Sequence, residues 1–352
     1  MTGQSDAWIK LFQNVTLDEY TVGDLRGEGG FGLVFEGCSA DKTRLVALKV
    51  LRPGSGQRQA EEFEREGLLL KILEKASNVV DIVSTGETSI PLNHAGTGIA
   101  VEVPVRFHVL ELSSGSLDEI IEHLGEMSWM ARLDLWRAIV RGVHQMHLKS
   151  IVHRDLKSEN CLLFVLPKKG MDCKLGDLGR SRDLSKPANH SPHEYIQGRG
   201  DMRFAPPEFL LLQGKDSRIG HKCADLYGLG SLLFEFGTGQ PITSFALGVD
   251  PDMVMGAAYR LRKNAAIDLS SLRPQYNDAF ELFEATVPSA IRVKASALIR
   301  QLCDPDPDRR PPKNGVGKRS ARTTGLEWLI NQADILTRTL ATVDRPRSAA
   351  KR

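Results

Sequence analysis

A chain of 352 residues with 41% hydrophobic and 26% charged residues has ordinary globular usage, which excludes a collagenous, disulfide-dense or wholly disordered protein. At roughly 150 residues per domain, it holds material for about two domains or one large bilobal one. Lys and Arg total 46 against 44 Asp and Glu, a formal charge of +2. That is too near neutral for the whole surface to grip nucleic acid or anionic membrane, so no nucleic-acid partner is expected and any basic site must be local.

The cysteines Cys38, Cys161, Cys173, Cys223 and Cys303 form an odd, scattered set with no C-x-x-C pair and no His at metal-ligand spacing. They read as inert thiols of a reducing compartment. The opening MTGQSDAWIK lacks the basic start and apolar stretch of a secretory signal, and no window reaches 18 uninterrupted apolar residues. The expectation is a cytoplasmic protein with no membrane insertion.

In chain order, Tyr20–Phe35 and Leu45–Leu51 are apolar, β-branched runs punctuated by glycine, which predicts strands. From Glu61 the period changes: Phe63, Leu69, Leu70 and Leu73 fall at helical spacing, predicting one helix over Ala60–Lys75. Ile82–Leu112 returns to strand-like composition, with a loop expected over Pro91–Gly98. Beyond Ser113 helices dominate. Leu133, Trp136, Val140, Val143 and His147 stripe one face of Trp129–Leu148, and Leu226–Phe236, apolar apart from Glu235, reads as a helix buried in the core. After Pro311 and Pro312 comes the polar, basic KNGVGKRSARTTG, a linker by composition. Thr324 and Glu327 then have capping-box spacing ahead of Leu326, Leu329, Ala333, Leu336 and Leu340, which predicts a last helix. The pattern is a small β-rich lobe followed by a larger α-rich one, with no internal repeat.

The sequence G-E-G-G-F-G-L-V at 27–34 places Gly27, Gly29 and Gly32 in a G-x-G-x-x-G pattern. Glycines let backbone amides approach phosphate oxygens, but the dinucleotide fold uses the same spacing. That fold wants a helix directly after the glycines and an acidic residue about 20 positions on. Here more strand follows, then V-A-L-K ending at Lys49, a lysine flanked by apolar residues that needs an anion. Glu66, on the helical face of Leu70 and Leu73, is the nearest candidate in the following helix.

Further on stand I-V-H-R-D-L-K-S-E-N at 151–160 and K-L-G-D-L-G at 174–179. With the glycine loop and V-A-L-K, these resemble the eukaryotic-type (Hanks-type) protein kinase family, whose motifs include H-R-D-L-x-x-x-N and D-F-G. F-A-P-P-E at 204–208 looks like that family's A-P-E segment, D-L-Y-G-L-G at 225–230 like the start of its buried central helix, and D-P-D-R-R-P at 306–311 like its late D-P-x-x-R-P. The resemblance spans about residues 20 to 312 in family order.

The resemblance implies an α+β bilobal protein-kinase-like fold: a small antiparallel β-sheet lobe with one helix, and a larger mainly α-helical lobe. It divides the chain into an N-terminal extension (1–19), an N-lobe (20–112), a C-lobe (113–312) and a basic C-terminal segment with a terminal helix (313–352). It implies transfer of the γ-phosphoryl of ATP to hydroxyls of protein substrates, autophosphorylation included, with Mg²⁺ or alternatively Mn²⁺. Gly27, Glu28, Gly29, Gly30 and Gly32 would line the loop over the phosphates, and Lys49, steadied by Glu66, would reach the α and β phosphates. Asp177 and Asn160 would hold metal ions as hard oxygen ligands. Asp155 would accept or orient the substrate hydroxyl. Lys157 would stabilise charge on the γ-phosphate, as in the Ser/Thr-directed branch. Between the lobes, adenine would meet backbone groups of Glu111 and Leu112, with Leu110 guarding a back pocket and Val34, Ala47 and Leu162 as its apolar sandwich. Glu208 and Arg310 match a buried structural ion pair.

The chain also departs from the family pattern. Leu178 replaces the Phe of D-F-G, and Pro206 replaces the Ala of A-P-E. Asp201 stands where Ser/Thr-directed members have a threonine. It is expected to pair with Lys157 and, lying near Asp155, to raise one carboxyl pKa, restraining activity or changing substrate handling. A pseudokinase or ATP-binding scaffold restrained by Asp201 is therefore the alternative, although Lys49, Glu66, Asp155, Asn160 and Asp177 all remain. A small-molecule phosphotransferase would lack the A-P-E-like segment. Arg154 and Arg182 are candidate clamps for a phosphorylated loop offering Ser181, Ser185, Ser191 and Tyr195, although the frequent phosphosite position holds Gln197. The basic tail is either a solvated terminus or a docking site for an acidic partner.

Overall fold

The computed structural model describes residues 8–29, 32–93, 100–167, 170–187, 201–313 and 325–343. The chain divides into two compact units. The first gathers residues up to Lys75, Val79–Ser114 and Asp177–Gly179, and the second the remainder.

The first unit is an antiparallel sheet of β1 (Thr16–Leu17), β2 (Tyr20–Glu28), β3 (Gly32–Ser39), β4 (Leu45–Leu51), β5 (Ile82–Asn93) and β6 (Ala100–Glu111), in the order β1-β2-β3-β4-β6-β5, joined by the long helix α1 (Gln57–Ile72). Buried and exposed residues alternate at the start of β2, whereas β4 is buried from Val46 to Leu51, as suits a strand covered on both faces. One core joins Phe12, Leu17 and Tyr20 to Phe35, Leu48, Phe107 and Val109. A helical turn at 8–12 adds Trp8, Ile9 and Leu11 to it, so residues ahead of Tyr20 are built into this core.

Two expected boundaries are corrected. β5 continues through Pro91 to Asn93, where a loop was expected from Pro91. Proline lacks the N–H a central strand needs, but β5 is the edge of the sheet, where one missing donor is tolerated. The part of the Pro91–Gly98 loop over 94–99 lies outside the described residues. The helix expected over Ala60–Lys75 runs instead from Gln57 to Ile72. Gln59 Oε1 accepts the Gly56 N–H at 2.6 Å, starting it a turn early, and Lys75 takes a left-handed φ of 64°, so the helix has already closed.

The second unit holds β7 (Gly115–Ser116), α2 (Leu117–Ile121), α3 (Trp129–Leu148), β8 (Ile151–Val152), β9 (Cys161–Leu166), β10 (Gly170–Leu175) and β11 (Arg182–Asp183). It continues with α4 (Pro207–Leu210), α5 (Arg218–Thr238), α6 (Ile242–Leu247), α7 (Pro251–Arg262), α8 (Arg273–Thr286), α9 (Ser289–Leu302) and α10 (Glu327–Val343). Strands β10-β9-β7 form one small sheet and β11-β8 another. Ser128 caps α3, its hydroxyl accepting from Ala131 N at 3.2 Å. α5 is the axle: every residue from His221 to Phe236 is buried, and Trp136 of α3 donates its indole N–H to Leu229 O at 2.8 Å. This helix contains the predicted Leu226–Phe236 core.

α10 presents Leu329, Ala333, Leu336 and Leu340 to α3 and α9, burying all four. Arg137 and Asp334 pair at 2.9 Å, and His144 Nδ1 accepts the Leu326 N–H at 2.9 Å. The predicted terminal stripe is therefore spent within this unit. Thr324 and most of the basic linker lie outside the described residues. All five cysteines are free thiols, four of them buried. No helix of the described residues is long and apolar enough to cross a membrane.

The second unit is braced by Arg310, which is fully buried and meets Glu208 in a two-pronged pair at 2.6 and 2.7 Å. Its remaining N–H groups reach the carbonyls of Cys223, Asp304 and Pro305 at 3.1, 2.8 and 3.2 Å. The guanidinium lies 4.8 Å from the Tyr227 ring centroid. Every donor of the planar fork is matched, which a lysine could not achieve. Replacing Glu208 by Gln strands this cation in the core. Chemical denaturation should show Glu208→Gln less stable than the parent by about 3–5 kcal/mol.

Candidate active site

Within the first unit, the glycine loop leaves β2 and re-enters at β3. The Gly29 N–H bonds Gly32 O at 3.0 Å, tightening the turn. Gly32 must be glycine, since a Cβ there would lie 2.4 Å from the Val50 carbonyl oxygen. A Cβ at Gly27 would meet nothing within 4 Å, so no packing constraint acts there. The Glu28 carboxylate pairs with Arg52 at 2.6 Å. Gly30 lies outside the described residues. Val34 is partly exposed, Ala47 and Leu110 are buried, and Ala47 and Leu110 sit opposite each other in the ladder between β4 and β6.

Lys49, on β4, places its ammonium 2.6 and 2.8 Å from the two Glu66 oxygens and 3.1 Å from Asp177 Oδ1. Burial alone would pull the Lys49 pKa down, but the Asp177 and Glu66 carboxylates outweigh it and raise it, so the lysine stays charged. Asp177 holds a left-handed φ of 52°, a conformation costing a non-glycine residue roughly 1–2 kcal/mol. The ion pair to Lys49 helps hold it there. Leu178, the replacement for Phe, is fully buried. Glu111 spends its side chain on structure: Oε1 accepts from Asp81 N at 2.7 Å, while its own N–H reaches Asp81 O at 3.1 Å. Leu112 is partly exposed.

Within the second unit, Asp155 is buried with both oxygens engaged. Oδ1 receives the Asp201 N–H at 3.3 Å, and Oδ2 receives Asn160 Nδ2 and Arg180, each at 3.4 Å. Asn160 Nδ2 also donates to the Asp155 carbonyl at 2.8 Å, which turns the amide oxygen into an outward acceptor. Lys157 is partly exposed and Leu162 of β9 likewise. The loop is suspended from Asp225 at the heart of α5. Its carboxylate accepts the N–H groups of His153 and Arg154, each at 2.9 Å, and faces His147 Nε2 at 2.8 Å. Burial would raise the Asp225 pKa, but those hydrogen bonds and the His147 dipole or charge hold it below the usual value.

Asp201 requires a correction. Its pKa is lowered: burial acts to raise it, but Arg203 overrides this through side-chain and backbone hydrogen bonds, and Lys157 assists electrostatically. Arg203 Nε bonds both Asp201 oxygens at 3.1 and 3.0 Å, and its Nη2 reaches Glu159 at 2.8 Å. The predicted clash of carboxylates with Asp155 is thus relieved by a cation two residues along. The expected pairing with Lys157 yields to Arg203, and only the Asp201 backbone touches Asp155.

The candidate phosphorylation sites also sort themselves. Ser181 is buried and donates to the His153 carbonyl at 3.2 Å, so it is not an accessible acceptor. Ser185 is exposed and bonds Asp183. Ser191, Tyr195 and Gln197 lie outside the described residues. Arg182 is paired with Asp216, with His221 beside it at 3.1 Å. Arg154 adopts a left-handed φ of 69°.

Motif matching read Asp225 only as the start of a helix, and passed over Arg203 and Glu235. The lone carboxylate in the apolar Leu226–Phe236 run was the available signal for the last. Glu235 is buried; Oε1 accepts from Ser158 Oγ at 3.1 Å, while Oε2 has no hydrogen-bond partner among the described residues. Burial raises its pKa to about 8, Ser158 opposing and Glu159 reinforcing the shift.

Comparison with known proteins assigns the class. The model of the protein kinase domain matches residues 20–318, and the chain belongs to that family. It is 26% identical over 226 residues to the serine/threonine-protein kinase fused of Drosophila melanogaster, covering 64% of this chain and 25% of the relative. It is 32% identical over 228 residues to the putative cysteine-rich receptor-like protein kinase 16 of Arabidopsis thaliana, covering 62% and 30%. With the Arabidopsis cysteine-rich receptor-like protein kinase 34 it shares 28% over 278 residues, covering 76% and 37%. The chain thus spans about a quarter to a third of the length of these curated relatives.

Two expectations follow. The Glu235 carboxyl ionises near 4.5 when unfolded and near 8 when folded, so the fold binds the extra proton between these values. Stability from this group is complete at low pH and fades as pH rises toward 8. Melting temperatures from pH 5 to 9 should therefore fall less steeply for Glu235→Gln than for the parent. Asp201→Thr releases Arg203 and removes a charge beside Asp155, and steady-state assays should show altered turnover. An unchanged rate and substrate profile would remove the role assigned to Asp201.

Proposed function

We propose that this chain is an ATP-dependent protein serine/threonine kinase, transferring the γ-phosphoryl group of ATP to Ser and Thr hydroxyls of protein substrates, itself among them. The observation that carries the reading is the buried Lys49 ammonium, 2.6 Å from Glu66 and 3.1 Å from Asp177. A fixed cation beside a carboxylate suited to a divalent ion is what phosphate groups require.

In this reading Gly27, Glu28, Gly29, Gly30 and Gly32 cover the phosphates, and Lys49 holds the α and β groups. Val34, Ala47 and Leu162 contact the base, while backbone groups of Glu111 and Leu112 read its edge. The Asn160 amide oxygen and the Asp177 carboxylate are hard donors that fit Mg²⁺ or Mn²⁺. Asp177 would hold one ion and Asn160 a second, and an ion that takes its other oxygens from phosphate and water needs few protein ligands. When bound, the metal neutralises charge on the phosphates. Asp155, oriented by the Asp201 and Asn160 N–H groups, takes the proton of the substrate hydroxyl. That oxygen bonds to the γ-phosphorus as the bond to the β–γ bridging oxygen breaks and ADP departs. Lys157 stabilises the charge on the transferred group and supports the Ser/Thr assignment.

The same reading assigns residues 20–112 and 113–312 to the two kinase lobes, with 313–352 a basic segment open to an acidic partner, and places the protein in the cytoplasm. The competing pseudokinase reading rested on Asp201, and the Arg203 pairing weakens that ground.

The test is transfer of labelled γ-phosphate from Mg-ATP to the protein itself and to a generic protein substrate. Labelling on Ser and Thr should fall by about 10³-fold or more in Asp155→Asn, with nucleotide binding kept. Binding without labelling in the unaltered protein would turn the assignment to the scaffold.

A further inference from the structure

One buried group in the first unit is unused by this chemistry. His108 of β6, 4% exposed, points into α1. Its ring lies parallel to Phe63, with centroids 3.9 Å apart and planes 8° from parallel. Nε2 donates to the Phe63 carbonyl at 2.9 Å, a bond from a side chain into the backbone of the helix. Nδ1 has no hydrogen-bond partner among the described residues. Burial lowers the pKa to about 4, with the Phe63 bond opposing and nearby Lys49 reinforcing the shift, so the ring is neutral with its proton on Nε2.

One turn along α1, Gly67 faces the same ring. A Cβ at Gly67 would lie 2.7 Å from His108 Cε1 and 3.2 and 3.3 Å from Nε2 and Nδ1. Any residue other than glycine would therefore push the ring out or the helix away. Phe63 and Gly67 are four apart and share a helical face, so the imidazole is wedged between successive turns. Glu66 lies beside Gly67 on this stretch, and His108 sits opposite Lys49 in the ladder between β4 and β6. The wedge and the lysine thus ride on paired strands, while the helix turn they address carries the glutamate.

An apolar side chain would fill this space without stranding a buried nitrogen, but it would not fix the rotation of α1. Leu69, Leu70 and Leu73 supply an apolar face that tolerates small rotations. At a side-chain radius of about 5–6 Å, a rotation of about 20° carries a side-chain tip about 2 Å. That displacement would break a contact of 2.6 Å such as Lys49–Glu66. The directed Nε2–H bond and the shape fit at Gly67 oppose such rotation.

We propose that His108 is a positioning residue which sets the rotation of α1 and so the reach of Glu66 to Lys49, and that position 67 is glycine to admit its ring. The consequence for turnover rests on the kinase reading above, whereas the consequence for nucleotide affinity and coupling between the two positions does not.

The experiment compares the unaltered protein with Gly67→Ala, His108→Val and the double variant, measuring melting temperature, Mg-ATP affinity, and kcat and KM for phosphorylation. Misplacement of about an ångström costs up to about 100-fold, so Gly67→Ala should lower kcat/KM for ATP about 10- to 100-fold. His108→Val should lower it less. The double variant, in which the added methyl enters space the ring has left, should recover above Gly67→Ala. Conservative His108→Gln, which keeps an amide donor toward Phe63, should exceed His108→Val. A folded Gly67→Ala with parental kinetics would overturn the proposal, as would a double variant whose losses are the sum of the singles. If Gly67→Ala does not fold, equal kinetics for His108→Val, His108→Gln and the parent overturn it, and the graded order supports it. If the parent binds Mg-ATP but transfers nothing, the kinase reading falls, and the wedge is judged on the same variants by nucleotide affinity.

Discussion

The burial of one ammonium group, that of Lys49, organises the first unit. A cation removed from water is tolerable only where carboxylates and good geometry compensate its desolvation, and two carboxylates meet it, Glu66 from α1 and Asp177 from more than a hundred residues further along the chain. This demand explains why Asp177–Gly179 segregates with the first unit although its sequence neighbours belong to the second. It also explains why Asp177 keeps a left-handed backbone. A β-strand that is apolar on both faces carries one charge, and the helix and a distant loop are drawn to that charge.

The second unit solves the converse problem, holding a carboxylate ready without a short ion pair to cancel it. Asp155 is steadied by backbone and amide N–H groups at 3.3–3.4 Å, and among the described residues its one cationic contact, from Arg180, is also at 3.4 Å. Short ion pairs are kept for structure, as in Glu208–Arg310 at 2.6 Å. The backbone around Asp155 is set by Asp225, which takes two N–H donors from consecutive residues of the loop. Because Asp225 lies on α5, where His221–Phe236 are all buried, the loop inherits the rigidity of the core.

Much of this was legible in the sequence because each element carries a local signal. β4 and α3 fall on their expected spans, Leu45–Leu51 and Trp129–Leu148, since uninterrupted apolar or 3.6-periodic runs leave little choice. Lys49, Glu66, Asp155, Asn160 and Asp177 were legible as motif residues, and the structure brings the first, second and fifth into one cluster. What was illegible is non-local or depends on an edge. The loop expected over Pro91–Gly98 gives way to strand up to Asn93, and only the strand order reveals that β5 is an edge where proline is tolerated. His108 carries no local signal, because its partners, Phe63 and Gly67, lie on a helix about forty residues earlier. Glu235 is a lone charge in an apolar helix, but the Ser158 hydroxyl that donates to it cannot be found by spacing.

The fate of Asp201 shows why a substitution in a motif is a poor guide by itself. Replacing a hydroxyl by a carboxylate beside Asp155 ought to place two negative charges together and push one pKa up. Arg203 reverses the sign: its fork takes both Asp201 oxygens and reaches on to Glu159, so the added charge is neutralised inside a network of three side chains. The Asp201 N–H, which any residue but proline would offer at this position, remains on Asp155. The backbone therefore preserves the contact that steadies the carboxylate, while the side chain serves a separate ion-pair network. The local electrostatic balance around Asp155 belongs to the whole G-D-M-R-F segment, in which residue 203 compensates residue 201.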